Sequence, residues 1–217
     1  LAYTCKPLTG TEYAVSTDSD IFVYVLENGV TQNICKPVNV NTGEPIADMA
    51  TMAGYDKYPV WSPDDRQIAF LSQRRAGNES DKARLFLYDC QTAQMQDLTE
   101  DFDYNAMNVV WSGSDMLYFI APIEATHQIC RIAPSVGEVE VVTRGDHNAF
   151  SMAGDRIAAE MCTISMATEF FDVNPADGTL TQISAINKPV YDNIRMGEVQ
   201  KRWVRTTDGK QMLTWVI

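Results

Sequence analysis

The stretch YPVWSPDDRQIAFLS, residues 58–72, decides the fold. An apolar pair, Val60-Trp61, runs into the polar turn Ser62-Pro63-Asp64-Asp65-Arg66, and a second apolar run, Ile68-Ala69-Phe70-Leu71, follows at once. This is strand, tight turn, strand. Pro63 presets φ for the first turn position, and Asp64 and Asp65 can bond their own backbone. Asp65 stands where such a hairpin wants positive φ, which Gly gives most cheaply and Asp tolerates.

The pattern returns. The strand after the turn has counterparts in Leu1-Ala2-Tyr3, Leu117-Tyr118-Phe119 and Ile157-Ala158-Ala159, at successive intervals of 67, 49 and 40 residues. The last two intervals match one four-stranded propeller blade, and the first needs an insertion. A second apolar strand follows in each copy, within residues 21–24, 85–88, 128–132 and 170–173. A turn and a more polar third strand come next, at 31–34, 95–99, 139–143 and 180–183. The inner strand before the turn is Val60-Trp61, Val109-Val110-Trp111 and Ala149-Phe150, and the first copy lacks it. Middle strands covered on both faces read as continuous apolar runs, while outer strands carry Gln, Asp, Thr and Glu. Pro, Gly and Asn-Asp clusters leave no amphipathic segment of helical length. The expectation is an all-β chain of about four antiparallel blades over residues 1–190, the first truncated, stabilised by stacking because each blade has too little core alone.

Length and charge narrow the function. The 217 residues carry 45% hydrophobic side chains and a net charge of −12, from 29 acidic and 17 basic residues. Nucleic-acid binding needs a basic face and is excluded as the working reading, as is an anionic membrane surface. No apolar run reaches membrane-spanning length. The chain begins Leu1-Ala2-Tyr3 without Met and ends Trp215-Val216-Ile217, which reads as a piece of a longer protein whose targeting segment lies elsewhere. Cys5, Cys35, Cys90, Cys130 and Cys162 form no C-x-x-C and read as small buried hydrophobes. His127 and His147 share no ligand spacing with them, so no metal and no cofactor are expected.

Two segments interrupt the repeat. Residues 37–57 read as a loop with a short turn near Asp48–Met52. Residues 73–84, QRRAGNESDKAR, read either as a solvated hairpin loop or as an extension that lines a substrate cavity or meets a partner. The tail, from residue 191, alternates as a strand over 198–205, turns at Thr207-Asp208-Gly209-Lys210 and forms a second strand over 212–217.

With these residues in view, the chain resembles the propeller region of the prolyl oligopeptidase family of serine peptidases, and within it the bacterial dipeptidyl peptidases. Tyr58-Pro59-Val60-Trp61-Ser62-Pro63-Asp64-Asp65 resembles the P-x-W-S-P-D-G blade signature, with Asp65 in place of Gly, and Val110-Trp111-Ser112-Gly113-Ser114-Asp115 is a weaker copy. The tail TTDGKQMLTWVI, residues 206–217, looks like the first hairpin of the α/β-hydrolase domain. The resemblance implies a propeller that covers an active site and admits short peptides, with its own hydrolase domain as partner and a periplasmic or secreted location. It also implies a Ser-Asp-His triad in that hydrolase domain, with the Ser in a G-x-S-x-G elbow, a motif these residues do not contain. No catalytic or metal residue is therefore assigned, the peptide-binding residues are left open, and the chain by itself is expected to be inactive. The adjacent Glu pair by which some members hold a peptide amino terminus has no match; Glu79 and Glu100-Asp101 are the nearest acidic groups.

Other residues invite chemistry and read more simply as structure. Ser62 and Ser112 lie in turns without an elbow. Asp146-His147-Asn148 stands where an inner strand begins. Trp61, Trp111, Trp203 and Trp215 lie at strand positions and read as core or interdomain packing. The competing function is a TolB-like scaffold that binds protein or sugar. With fewer blades than a closed propeller, the chain is expected either to self-associate through its terminal blades or to fold the 198–217 hairpin back as a substitute strand pair.

Overall fold

The computed structural model describes residues 1–37, 44 and 52–217. Four antiparallel meanders follow one another. The first sheet has three strands, β1 (Ala2–Cys5), β2 (Asp20–Tyr24) and β3 (Thr31–Asn33). The second has β4 (Asp56–Trp61), β5 (Gln67–Ser72), β6 (Arg84–Asp89) and β7 (Met95–Asp97). The third has β8 (Met107–Ser112), β9 (Met116–Ile123), β10 (Thr126–Ile132) and β11 (Val139–Thr143). The fourth has β12 (Asp146–Ala153), β13 (Arg156–Thr163), β14 (Met166–Val173) and β15 (Leu180–Gln182). The hairpin β16 (Gln200–Arg205) and β17 (Gln211–Val216) forms a two-stranded sheet of its own. The fold is all-β and of the partial-propeller kind that the repeat implies. The short turn expected near Asp48 lies outside the described residues, apart from Met52.

The deciding hairpin forms as its residues dictate. Trp61 pairs with Ile68 across the turn, and the Asp65 amide donates to the Ser62 carbonyl at 3.0 Å. Asp65 takes φ 58°, the left-handed conformation for which Gly is the usual residue.

Residues 1–119 and 131–140 make one compact unit, and residues 120–130 and 141–217 make another. In the first, β5 and β6 are buried almost end to end, as expected for middle strands with neighbours on both faces. Ile21, Ile34, Cys35, Met52, Ile68, Phe70, Phe86 and Tyr88 form one apolar cluster joining the first and second sheets. Phe70 and Phe86 stack at 5.8 Å between centroids. Burying a side chain of this size contributes about 1.5–3 kcal/mol, which explains how a three-stranded sheet persists beside a four-stranded one. The Trp111 indole donates to the Val60 carbonyl at 3.2 Å, tying β8 to β4.

The second unit differs from the expectation of continuous apolar runs. In β13 and β14 buried and exposed residues alternate: Ile157, Ala159, Met161, Phe171 and Val173 face a core, while Phe170 is 44% exposed. Their sequences, RIAAEMCT and MATEFFDV, place Arg, Glu and Asp among the apolar residues, which suits a sheet with one covered face. Two short helices were also not read from the sequence. α1 (Gly10–Val15) buries no residue, so it left no apolar periodicity to read; α2 (Lys188–Tyr191) has Pro189 in its first turn, where the missing N–H is harmless.

One polar position recurs inside this apolar repeat. Asp20, Arg84 and Glu169 each stand two residues before a phenylalanine of the second strand, opposite Cys5, Ser72 and Met161. Each is satisfied differently. Asp20 accepts from the Asn33 amide at 2.8 Å, and Arg84 pairs with Asp97. Glu169 accepts from the Ser184 hydroxyl and from the backbone amides of Ile186 and Asn187, a set led by Ser184 that pulls its carboxyl down to about 2.

Candidate functional site

The inner strands β4 and β8 both take left-handed backbone at the same place. In β4 the register shifts between Lys57 and Val60, and Tyr58 takes φ 57°. Asn108 stands three residues before Trp111, as Tyr58 does before Trp61, and takes φ 50°. Left-handed backbone is tolerated by Asn but costly for a bulky aromatic such as Tyr58. Pro59 has no N–H to give to the ladder, which makes the bulge the natural local solution. The bulge re-aims side chains, and Tyr58 ends 65% exposed.

These residues line a cavity of about 420 Å³ with Lys57, Gln73, Glu79, Asp81 and Met107 among its walls. The far wall is the 73–84 segment. It is pinned rather than loose. The Gln73 side-chain amide donates to the carbonyls of Glu79 at 2.8 Å and Asp81 at 2.7 Å. The Lys82 ammonium reaches the carbonyls of Thr99, Glu100 and Phe102, each within 2.9 Å. The Ala83 amide donates to Asn105 Oδ1 at 2.7 Å, and Arg75 Nε donates to Asp81 at 2.9 Å. Gly54 permits this fold-back, because a Cβ there would lie 1.6 Å from the Gln73 carbonyl oxygen.

The electrostatics of the wall are mixed. The Lys57 ammonium lies 4.1 Å from the Tyr55 ring centroid and 5.5 Å from that of Tyr58. Burial pulls it below the ordinary lysine range, with Glu79 opposing. Arg75 holds the Asp81 carboxyl below its ordinary value. A cation, two carboxylates, an amide and an aromatic face can together bind a zwitterionic or peptide-like ligand, with no nucleophile among them.

A second polar cluster lies beneath the first two sheets. Asp20, Cys35 and Asp56 are fully buried, and one ligand-capable atom from each lies within 4.8 Å of the others. Asn33 organises the approach: its Oδ1 accepts from the amides of Cys35 and Lys36 while its Nδ2 donates to Asp20. The Lys36 ammonium bridges Asp18 at 2.7 Å and Asp20 at 2.9 Å. Neither oxygen of Asp56 takes a hydrogen bond of ordinary geometry, although the Ser72 hydroxyl and Cys35 thiol face it. Burial pushes the Asp56 carboxyl up to about 6 and raises the Cys35 thiol further above its ordinary value. The sequence reading sought metal ligands at fixed spacings and missed this set, whose members are scattered along the chain. The available signal was three polar side chains at apolar-strand ends.

The other candidates fall as structure. Ser62 donates to Asp64 Oδ1 at 2.7 Å and accepts from the Gln67 amide at 2.9 Å, the bonds of a turn residue. Ser112 closes β8. His147 is buried at the start of β12, and its neighbour Asp146 bonds instead to His127, Nδ1 to Oδ1 at 2.8 Å. Glu100 contributes only its carbonyl, to Lys82. All five cysteines are free, and Cys5 and Cys90 are exposed, so the buried-hydrophobe reading holds for Cys35 and Cys130 but not for these two. Trp61 and Trp111 are partly buried in inner strands, whereas Trp203 and Trp215 are exposed on the tail hairpin and form no core.

No family model matches the sequence. The chain is 36% identical over 220 residues to dipeptidyl-peptidase 5 of Porphyromonas gingivalis, covering all of this chain and 30% of that protein. It is 33% identical over the same length to dipeptidyl-peptidase 5 of Porphyromonas endodontalis, again over 30% of it. Among solved structures, acylaminoacyl peptidase of Pyrococcus horikoshii superposes with a TM-score of 0.64 at 16% identity, over 91% of this chain and 28% of that one. The β-propeller domain of the Trilobed protease of Pyrococcus furiosus gives 0.54 at 17% identity, over 78% and 47%. In sequence, then, the chain is similar to about 30% of the length of two proteins named dipeptidyl-peptidase 5, and in fold it is similar to part of solved peptidases that include a β-propeller domain.

Proposed function

We propose that this chain is the propeller part of a serine-type dipeptidyl peptidase, where it covers the active site and admits short peptides. The observation that carries the reading is the cavity at the inner strands, with its paired left-handed residues Tyr58 and Asn108 and its pinned wall at 73–84. Strained backbone persists where surrounding structure over-determines it, and it concentrates at binding sites. Identity above one third to a dipeptidyl peptidase favours this reading over a scaffold propeller, which accounts for the blades alone. The proposal includes a hydrolase domain as partner, docking on the hairpin face that exposes Trp203 and Trp215. It also includes a periplasmic or secreted location; among the described residues no helix is long and apolar enough to cross a membrane.

The test is kinetic and uses the complete parent protein. Tyr58→Ala and Glu79→Gln are expected to raise KM for dipeptidyl-p-nitroanilides several-fold with kcat nearly unchanged, and to relax the discrimination against long peptides. Unchanged KM and unchanged length selectivity in both variants would sink the admission role. A parent reading frame without a strand–G-x-S-x-G–helix segment would sink the peptidase assignment itself.

A further inference from the structure

We propose that Asp20, Cys35 and Asp56 form a buried three-ligand structural site for one divalent transition-metal ion of the zinc class, joining the first sheet to the second. Asp20 opens β2 and Cys35 follows β3, both in the first sheet, while Asp56 opens β4 in the second. Three donor atoms within 4.8 Å of one another need only a small rotamer adjustment to reach the about 3.5 Å edges of a tetrahedral zinc shell.

The second observation is independent of this proximity. Asp56 is fully buried, and its oxygens are faced only by the Ser72 hydroxyl and the Cys35 thiol, neither in ordinary hydrogen-bond geometry, while Asp20 Oδ1 has only the Lys36 ammonium. Buried polar groups are nearly always satisfied, and an orphan carboxylate points to an ion or a proton. Charge favours the ion. Counting Asp18, which shares Lys36, three carboxylates and a thiolate carry four negative charges; Lys36 and a divalent cation supply three positive ones, leaving one negative charge where Lys36 alone would leave three. The donor set excludes calcium and magnesium, which take oxygen shells, and suits zinc, which takes mixed sulfur and carboxylate ligands. Asn33 supplies the outer support that metal ligands need, by fixing Asp20 and the turn that carries Cys35. The function is structural: the ion would cross-link a sheet that has only three strands to its four-stranded neighbour.

The experiment titrates the chain with Co²⁺ as a spectroscopic probe, in a background where the exposed Cys5 and Cys90 are replaced by Ser. The expected result is saturation at one Co²⁺ per chain with a sulfur-to-cobalt charge-transfer band, displaced by Zn²⁺. Cys35→Ser abolishes the band, and Asp56→Asn weakens Co²⁺ binding at least tenfold. Circular dichroism of both variants confirms that they fold; if either does not, loss of Co²⁺-dependent protection of Cys35 from thiol alkylation reads the same site in the unmutated chain. No stoichiometric binding, or a band that survives Cys35→Ser, would mean that a proton alone occupies the cluster and would overturn the proposal.

Discussion

Arg84 holds Asp97 across β6 and β7, Nη1 to Oδ2 at 3.1 Å, with both side chains only 12% exposed. The guanidinium also lies over the Phe86 ring, 4.8 Å from its centroid. Removing one member of such a pair leaves a charge with little water to solvate it. Arg84→Ala should therefore destabilise the chain by about 3 kcal/mol. Arg84→Met with Asp97→Asn, which keeps an acceptor for the Thr99 amide, should recover most of that loss in urea unfolding. A double variant no more stable than Arg84→Ala would contradict this account.

Asp65 offers the opposite experiment. Its φ of 58° is the one departure of this turn from the glycine that the hairpin prefers. Asp65→Gly should raise stability by roughly 0.5–1 kcal/mol, because relief of left-handed strain exceeds the added freedom of the unfolded chain. The shift in denaturation midpoint measures it, and a lower midpoint would show that the Asp side chain contributes more than its backbone loses.

Gly137 and Gly178 separate backbone strain from close approach. Both occupy turns between second and third strands, with φ of 76° and 71°. A Cβ on Gly137 meets nothing within 4 Å, whereas one on Gly178 would lie 1.9 Å from the Val142 carbonyl oxygen. Gly137→Ala should cost about 1 kcal/mol from conformation alone. Gly178→Ala should cost at least 2 kcal/mol more, because backbone must move. Equal losses in thermal unfolding would remove the contact from the explanation.

His147 gives stability a pH dependence. Burial pushes its imidazole down to about 4, and neither ring nitrogen has a hydrogen-bond partner. Between about 4 and the ordinary value of about 6.5, the unfolded chain binds a proton that the folded chain does not. Stability from this group is therefore complete above about 6.5 and falls as pH drops toward 4, by on the order of 3 kcal/mol. Asp56, raised to about 6, acts in the opposite sense over the same window, so the comparison is between variants rather than within one profile. His147→Leu should flatten the fall relative to the unmodified chain; parallel urea midpoints from pH 4.5 to 7 would refute it.

The repeat was legible because its signals are local. Turn chemistry at Ser62–Arg66, the phenylalanines of the second strands and the polar third strands all report structure within a dozen residues of themselves. The left-handed backbone at Tyr58 and Asn108 was not legible, because a left-handed aromatic is a tertiary outcome that no propensity favours. The buried set of Asp20, Cys35 and Asp56 was hidden for a related reason: each residue alone reads as a strand-end polar, and only pairing of two sheets brings them together. The exposure of Trp203 and Trp215 shows the same limit from the other side, since an apolar strand pattern names a face to be covered and not what covers it.

The recurring polar position acquires a further meaning from the repeat itself. Similar sheets in one chain invite stacking in the wrong order, the characteristic failure of repetitive folds. Asp20, Arg84 and Glu169 fill equivalent places with an anion, a cation and a differently bonded anion. A sheet exchanged for its neighbour would bring the wrong sign, or an unanswered charge, to a nearly dry position. The sequence variation at this one place thus works as an address, distinguishing sheets that their apolar residues alone would leave interchangeable during folding.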